Sequence, residues 1–182
     1  MEQVKLGELT IEIVQGDIAR QPDVQAVVNA ANAFLAPGGG VAGAIHRAAG
    51  PGLYEECRPL APIRTGECVI TGGHNLPNRY VIHCLGPVYG KDKPEATLLA
   101  NCYRNALKLA EENEITSVAF PAISAGIFGY PLPEAARVAL QTVTEMAPQL
   151  RSVKLVRFVL FDSKAYETFA RILESLRHKT NR

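Results

Sequence analysis

The sequence predicts an α/β fold: a three-layer α/β/α sandwich on a mixed, mainly parallel central sheet. Two observations carry this. Short β-rich runs alternate with longer helical patterns along the chain, the order that builds a mainly parallel sheet between helical layers. Several runs, among them "VQAVVNA" (24–30) and "SVAFPAI" (117–123), are apolar nearly throughout, as strands covered on both faces are.

Taken in order, "TIEIV" (10–14) and "VQAVVNA" (24–30) read as strands, followed by a helix over 41–49. "ECVITG" (67–72) and "YVIHCLG" (80–86) are the next strands, and 95–112 is a helix. "SVAFPAI" (117–123) leads to a helix over 133–146, where Pro133 and Glu134 suit a first turn: proline lacks only an N–H that would be unpaired anyway, and acid favours the dipole. "LVRFVLF" (155–161) is the last strand, and Asp162 or Ser163 can cap the helix over 163–177. The basic tail "RHKTNR" (177–182) reads as a frayed, solvated helix end.

At 182 residues the chain is expected to form one domain, 1–182, with enough core to need neither metals nor disulfides. A net charge of +1 with 20% charged residues gives no support to a general nucleic-acid or membrane-surface binder. The four cysteines, Cys57, Cys68, Cys84 and Cys102, form no CxxC pair. With no secretory signal and no apolar run of the about 18 residues a membrane span needs, a cytoplasmic protein with mostly buried, reduced thiols is expected.

Open α/β sheets bind ligands beyond the carboxyl ends of their strands. Two glycine-rich loops fall there: the stretch around Gly38, Gly39 and Gly40 before "VAGAIHRAAG", and "SAGIFGYP" (124–131). Each lies between a strand and a helix, so backbone N–H groups can turn toward an anion unobstructed by Cβ atoms. As a pair they suggest a clasp for a diphosphate. Gly38, Gly40 and Gly43 formally spell GxGxxG, but no acidic residue stands near Ile63, which speaks against a dinucleotide site, and no GxxxxGK[ST] occurs.

The ordered series "VVNAAN", the three glycines, "VAGAIHRAAG", "GHNLPNRYVIHCLGP" and "PAISAGIFGYP" resembles a macrodomain, the ADP-ribose-binding module, and most closely its MacroD-type branch. The resemblance covers about residues 12–165. It implies that Asp17 accepts a hydrogen bond from the adenine amino group and that the Ile18 backbone contacts the ring. Asn32 would bind hydroxyls of the distal ribose. Gly39, Gly40 and Val41 would form the first phosphate loop, and Ser124, Ala125, Gly126, Ile127 and Phe128 the second, with Phe128 beside the distal ribose. Phe161 would pack on adenine.

Each residue also has a structural role open to it. Asp17 can cap the turn "IARQ", Asn32 can hydrogen-bond its own loop, and Phe128 and Phe161 can be core residues. In many MacroD-type enzymes an aspartate stands where this chain has Ala42, and alanine can neither accept a proton nor orient water. Macrodomains with alanine at that position nevertheless include hydrolases. His46, one turn on from Ala42, reads as a hydrogen-bonded structural histidine, His83 as a buried one, His74 as part of a surface turn and His178 as part of the tail. No histidine pair has metal-ligand spacing with a carboxylate, so neither a metal nor a cofactor is expected.

The function expected on this reading is ADP-ribose binding with hydrolysis of ADP-ribosyl esters, either on carboxylate side chains of proteins or in O-acetyl-ADP-ribose. Water attack would be substrate-assisted, with Asn32 and Phe128 as the catalytic positions. The alternative is a non-catalytic ADP-ribose reader. Expected partners are therefore ADP-ribose, ADP-ribosylated proteins or O-acetyl-ADP-ribose, with no specific nucleic acid and no membrane.

Overall fold

The structure, a computed structural model, describes residues 1–180, with side chains through Arg177. A seven-stranded mixed sheet forms its middle layer. The strands are β1 (Glu2–Leu6), β2 (Leu9–Gln15), β3 (Ala26–Ala30), β4 (Cys68–Gly72), β5 (Tyr80–Cys84), β6 (Ser117–Phe120) and β7 (Leu155–Leu160). Their order across the sheet is β1-β2-β7-β6-β3-β5-β4. The five central strands run parallel, and the edge strands β1 and β4 are antiparallel to their neighbours.

Five α-helices cover the sheet: α1 (Gly40–Ala49), α2 (Pro51–Cys57), α3 (Glu95–Glu112), α4 (Leu132–Met146) and α5 (Ser163–Thr180). Two apolar clusters separate the layers. The larger joins α3, α4 and α5 to one sheet face around Tyr103, Phe120, Phe158 and Phe169. The smaller joins α1 and α2 to the other face around Val27, Ile45, Leu53 and Val81. Central strands are buried on both sides, as their apolar runs predict: all four residues of β6 are buried.

The predicted strands and helices are all present; β3 to β7 are shorter than expected, while β2, α1, α4 and α5 are longer. Leu132 precedes Pro133 in the first turn of α4, with Glu134 beside it. Asp162 caps α5, its Oδ1 accepting from the Ala165 N–H at 2.8 Å. The expected fray at 177–182 is helical through Thr180, and the last two residues lie outside the described residues.

Two elements escaped the sequence reading. β1 pairs with β2 through a two-residue turn, Leu6 opposite Leu9, in which Gly7 adopts φ +62°. Its side chains are largely exposed, so it lacks the apolar signature of the inner strands. α2 starts at Pro51, directly after Gly50 ends α1 with φ +83°. The left-handed glycine turns the chain, and the proline suits a first helical position, so an apparent helix end is a corner between two helices. Among the described residues, no helix is long and apolar enough to cross a membrane.

Polar staples fix the strands at both ends of the crossover connections. Arg157 on β7 lies opposite Glu12 on β2, with its Nε donating to Glu12 Oε2 at 2.8 Å, and it grips Asp23 through Nη1 and Nη2 at 2.7 Å each. Glu111, at the end of α3, accepts from the backbone N–H groups of Arg151, Ser152 and Val153 just before β7. Partial burial pushes this carboxyl up, but the N–H groups of Arg151, Val153 and Ser152 outweigh it and hold it below its ordinary 4.5.

A folded-state value lowered in this way contributes stability above the unfolded value, lost as pH falls through the folded one. Glu111→Gln is therefore expected to destabilise the protein by about 1 kcal/mol at neutral pH. In thermal unfolding, the difference from wild type should shrink as pH drops below 4.5. A difference that stays constant into acid would refute the ionic role.

Candidate functional site

The topology selects the site. After β3 the chain turns into α1 on one face of the sheet; after β6 it turns into α4 on the other. β3 and β6 are parallel neighbours, Ala26 opposite Val118 and Val27 opposite Ala119. Between their carboxyl ends the two loops diverge, leaving the crevice in which open α/β sheets hold ligands.

The first loop is braced from within. Ala31 donates to the Cys84 carbonyl at 2.9 Å, and Ile63 donates to that of Ala33 at 2.9 Å. Asn32 folds onto the loop: its Oδ1 accepts from Ala36 N–H at 3.0 Å and its Nδ2 donates to Ala36 O at 2.8 Å. The turn role open to Asn32 in the sequence is thus realised. One lone pair of Oδ1 and one N–H of Nδ2 still remain for a ligand.

The loop then runs onto the start of α1, where Gly40 has φ +54° and no side chain caps the helix. The first-turn N–H groups of Gly40, Val41 and Ala42 have no acceptor among the described residues. A Cβ at Gly39 or Gly40 would meet nothing within 4 Å, so the loop presents bare backbone. Such a terminus, with its dipole, is built for an anion.

The second loop answers it from β6. Ser124 adopts φ +65°, Tyr130 donates to its carbonyl at 2.9 Å, and Gly129 donates to Gly126 O at 3.0 Å. The N–H groups of Gly126, Ile127 and Phe128 find no acceptor among the described residues. Ile127 is 98% exposed at the tip, while Phe128 is half-buried against the smaller apolar cluster, combining the core and surface roles open to it. Ser124 Oγ is buried without a hydrogen-bond partner. Neither loop carries a charged side chain, so any phosphate would be held by backbone amides.

At the far end of the same sheet edge, Asp17 follows β2 and Phe161 follows β7. Asp17 Oδ1 caps the next turn, accepting from Ala19 N–H at 2.9 Å, and Arg20 lies 3.9 Å from Oδ2. The Asp17 backbone is tied down too: Gln21 Nε2 donates to its carbonyl at 3.0 Å, while Gln21 Oε1 accepts from Arg157 at 3.0 Å. Ile18 is buried, with its N–H unpaired among the described residues. Phe161 is 85% exposed, which removes the core role for that ring.

All twelve sequence-selected ligand positions thus lie along the carboxyl ends of four adjacent strands, in the order β2, β7, β6, β3. Three interstrand steps of about 4.8 Å each give roughly 14 Å, the reach of an elongated ligand rather than a single phosphate. Sequence reasoning missed three neighbours. Tyr89 donates its N–H to Phe128 O at 2.9 Å and stacks edge-on against Tyr130. Gly86 backs the second loop, and Phe34, exposed, projects from the first. The "GP" after β5 was the available signal for the first two.

The histidines divide. His83 is fully buried, its Nδ1 3.1 Å from Asn29 Nδ2 and its Nε2 2.9 Å from Thr71 Oγ1. Burial, aided by the neighbouring His46, pushes it down to about 3, so it is neutral. His74 lies in its expected turn against Glu56, at 2.7 Å, and the side chain of His178 lies outside the described residues. His46 corrects the sequence reading: it is buried, but neither ring nitrogen has a hydrogen-bond partner. Burial lowers its pKa as well. The buried Ala42 at i−4 offers it nothing to bond. His46 lines a pocket of about 380 Å³ behind the first loop, between Pro37, Arg47 and Tyr54, that includes none of the sequence-selected ligand residues. Among the described residues, no three metal-ligating side chains converge.

Residues 28–139 match the family model of the Macro domain. The chain is 46% identical over 168 residues to a Salmonella typhimurium protein named O-acetyl-ADP-ribose deacetylase, covering 90% of this chain and 93% of that one. The Oceanobacillus iheyensis macrodomain, solved with ADP, superposes with a TM-score of 0.93 at 42% identity, covering 98% of this chain and 97% of the other. A Trypanosoma brucei macrodomain in complex with ADP-ribose gives 0.84 at 38% identity, covering 90% and 68% respectively.

Gly86 tests the support of the second loop. A Cβ there would collide with Ser124 Oγ and lie 2.6 Å from Ile123 Cγ2, whereas one at Gly126 would meet nothing. Gly86→Ala is expected to destabilise by about 1–3 kcal/mol through overpacking. Gly126→Ala should stay within about 0.5 kcal/mol of wild type. Denaturant titration of the two variants compares them directly.

Proposed function

This chain belongs to the Macro domain family, and on that premise we propose that it binds ADP-ribose and hydrolyses ADP-ribosyl esters. One observation carries the reading: two sets of unpaired backbone N–H groups lie beyond the carboxyl ends of the neighbouring strands β3 and β6, one at the start of α1 and one on the loop after β6. They suit a diphosphate between them. Phe161 and Asp17, one and two strands beyond β6, suit the adenine end, and Asn32 suits the distal ribose.

The chemistry follows from what the loops lack. From Asn29 through Ile45 and from Pro121 through Tyr130, no side chain can act as a base near neutral pH. Burial lowers the pKa of His46, which weakens it as a base, and it lines the pocket between Pro37, Arg47 and Tyr54. The base is therefore the substrate's own diphosphate. A diphosphate oxygen, held by the amides, takes a proton from water as the water oxygen bonds to the anomeric carbon of the distal ribose. The ester bond breaks, and the carboxylate leaves with the bonding electrons. Asn32 and Phe128 fix the sugar for this attack, and its orientation supplies the rate. A carboxylate is a good leaving group, so no protein acid is needed.

The second reading, a reader without turnover, is favoured by Ala42. Single-turnover release of ADP-ribose from a glutamate-linked mono-ADP-ribosyl peptide, with enzyme in excess, separates the two. Release supports the hydrolase; binding without release supports the reader. Asn32→Ala should slow release by about 100-fold or more through lost orientation, with cooperative unfolding retained. Full activity in that variant would sink the mechanism. Asp17→Ala should weaken ADP-ribose by about tenfold or more, the loss of one charge-assisted hydrogen bond. Titration with a simple phosphate ester should show no change, and an equal loss for both ligands would refute the adenine assignment.

A further inference from the structure

β4 and β5 place two cysteines directly opposite each other. Cys68 pairs with Cys84 in the antiparallel register. The adjacent hydrogen bond runs from Leu85 N–H to Glu67 O at 3.2 Å, so Cys68 and Cys84 form a non-hydrogen-bonded pair. That is the closer of the two antiparallel arrangements, with Cα atoms about 4.5 Å apart, inside the about 4.4–6.8 Å window that a disulfide requires. Both side chains lie on one face, and their sulfurs are in contact at 2.7 Å. Cys84 is fully buried and Cys68 is partly buried.

A third thiol packs over the pair and is turned away from it. Cys102 on α3 points its Sγ at Leu85 O, at 3.3 Å, while its own carbonyl faces Cys68 Sγ at 3.3 Å. Cys57 lies on the other side of the sheet, 3.7 Å from His83 Nε2. The register thus selects one pair from the four cysteines.

We infer that Cys68 and Cys84 are a site of reversible oxidation, closing a cross-strand disulfide at the exchange of a low-molecular-weight disulfide. Cys68, the less buried of the two, meets the reagent first. Its thiolate attacks one sulfur of the reagent; a mixed disulfide forms, and the first small thiolate leaves. Cys84, already in contact, then attacks the Cys68 sulfur: the Cys68–Cys84 bond forms, the mixed bond breaks, and the second small thiolate leaves. The two cysteine protons end on the two released thiols. The protein is oxidised by two electrons, and the reagent is reduced by the same two. No backbone movement is required, because the strands already hold the geometry.

The bridge would reach the crevice through the backbone. Cys84 O receives the Ala31 N–H that starts the first loop, and Gly86, two residues on, backs Ser124 in the second. Closing the loop of 15 residues between the two cysteines also restricts the unfolded chain.

The test incubates the folded protein with oxidised glutathione and maps its peptides without reduction. The expected product has lost two hydrogens in mass, carries a Cys68–Cys84 linked peptide, melts about 5–10 °C higher and reverts with dithiothreitol. Cys68→Ser should abolish the linked peptide, and Cys102→Ala should retain it. A stable glutathione adduct on Cys68, a Cys68–Cys102 linkage, or an unchanged mass would each overturn the inference. Should Cys102→Ala fail to fold, the peptide map of the wild-type protein decides alone.

Discussion

Parallel pairing of the five inner strands is the constraint on which the rest of this molecule depends. It sends every inner strand toward the same edge and forces each connection to cross a sheet face. The switch of face between β3 and β6 opens the crevice, and the strand order lays out the remaining contacts beside it. Residues more than 140 positions apart in the chain, such as Asp17 and Phe161, become neighbours because β2 and β7 are paired over six residues. Arg157 and Gln21 then pin the Asp17 turn to that pairing, so position at the site is set by the sheet itself.

The two loops beside the crevice offer backbone rather than side-chain charge. Two glycine-containing loops display amides, and the helix start adds its dipole. This accounts for a net charge of only +1 in a chain read here as a binder of a diphosphate. It also explains why Asn32 serves two ends at once. By holding Ala36 through both side-chain atoms it shapes the loop that carries the amides, while half its hydrogen-bonding capacity stays free. Geometry of this kind is sensitive to support from behind, which Gly86 and Tyr89 supply to the second loop.

Behind the first loop the packing is less complete. His46 is buried beside Ala42 and lines the pocket there, with no hydrogen-bond partner among the described residues. The contrast with His83 is instructive, since Asn29 and Thr71 satisfy that ring on both sides. Two histidines with ring centroids 6.5 Å apart thus sit in one apolar layer under different terms. On the opposite side of the sheet, two thiols of the edge pair β4–β5 meet a third on α3.

The alternation of apolar runs and helical patterns determined the layers, the inner strands and four of the five helices, because burial on both faces leaves a direct mark on composition. The paired glycine loops between strand and helix were legible as a place for an anion, whereas Asp17 and Asn32 were singled out only by the family resemblance, because capping a turn and bracing a loop ask for the same residue types. β1 and α2 were not legible: the first is an exposed edge strand, and the second depends on Gly50 turning left-handed. Only the tertiary structure decided that Phe161 is exposed, that His46 lacks a partner, and that Cys68 faces Cys84. Those are outcomes of register and packing, which bring together residues whose separation in sequence carries no record of their meeting.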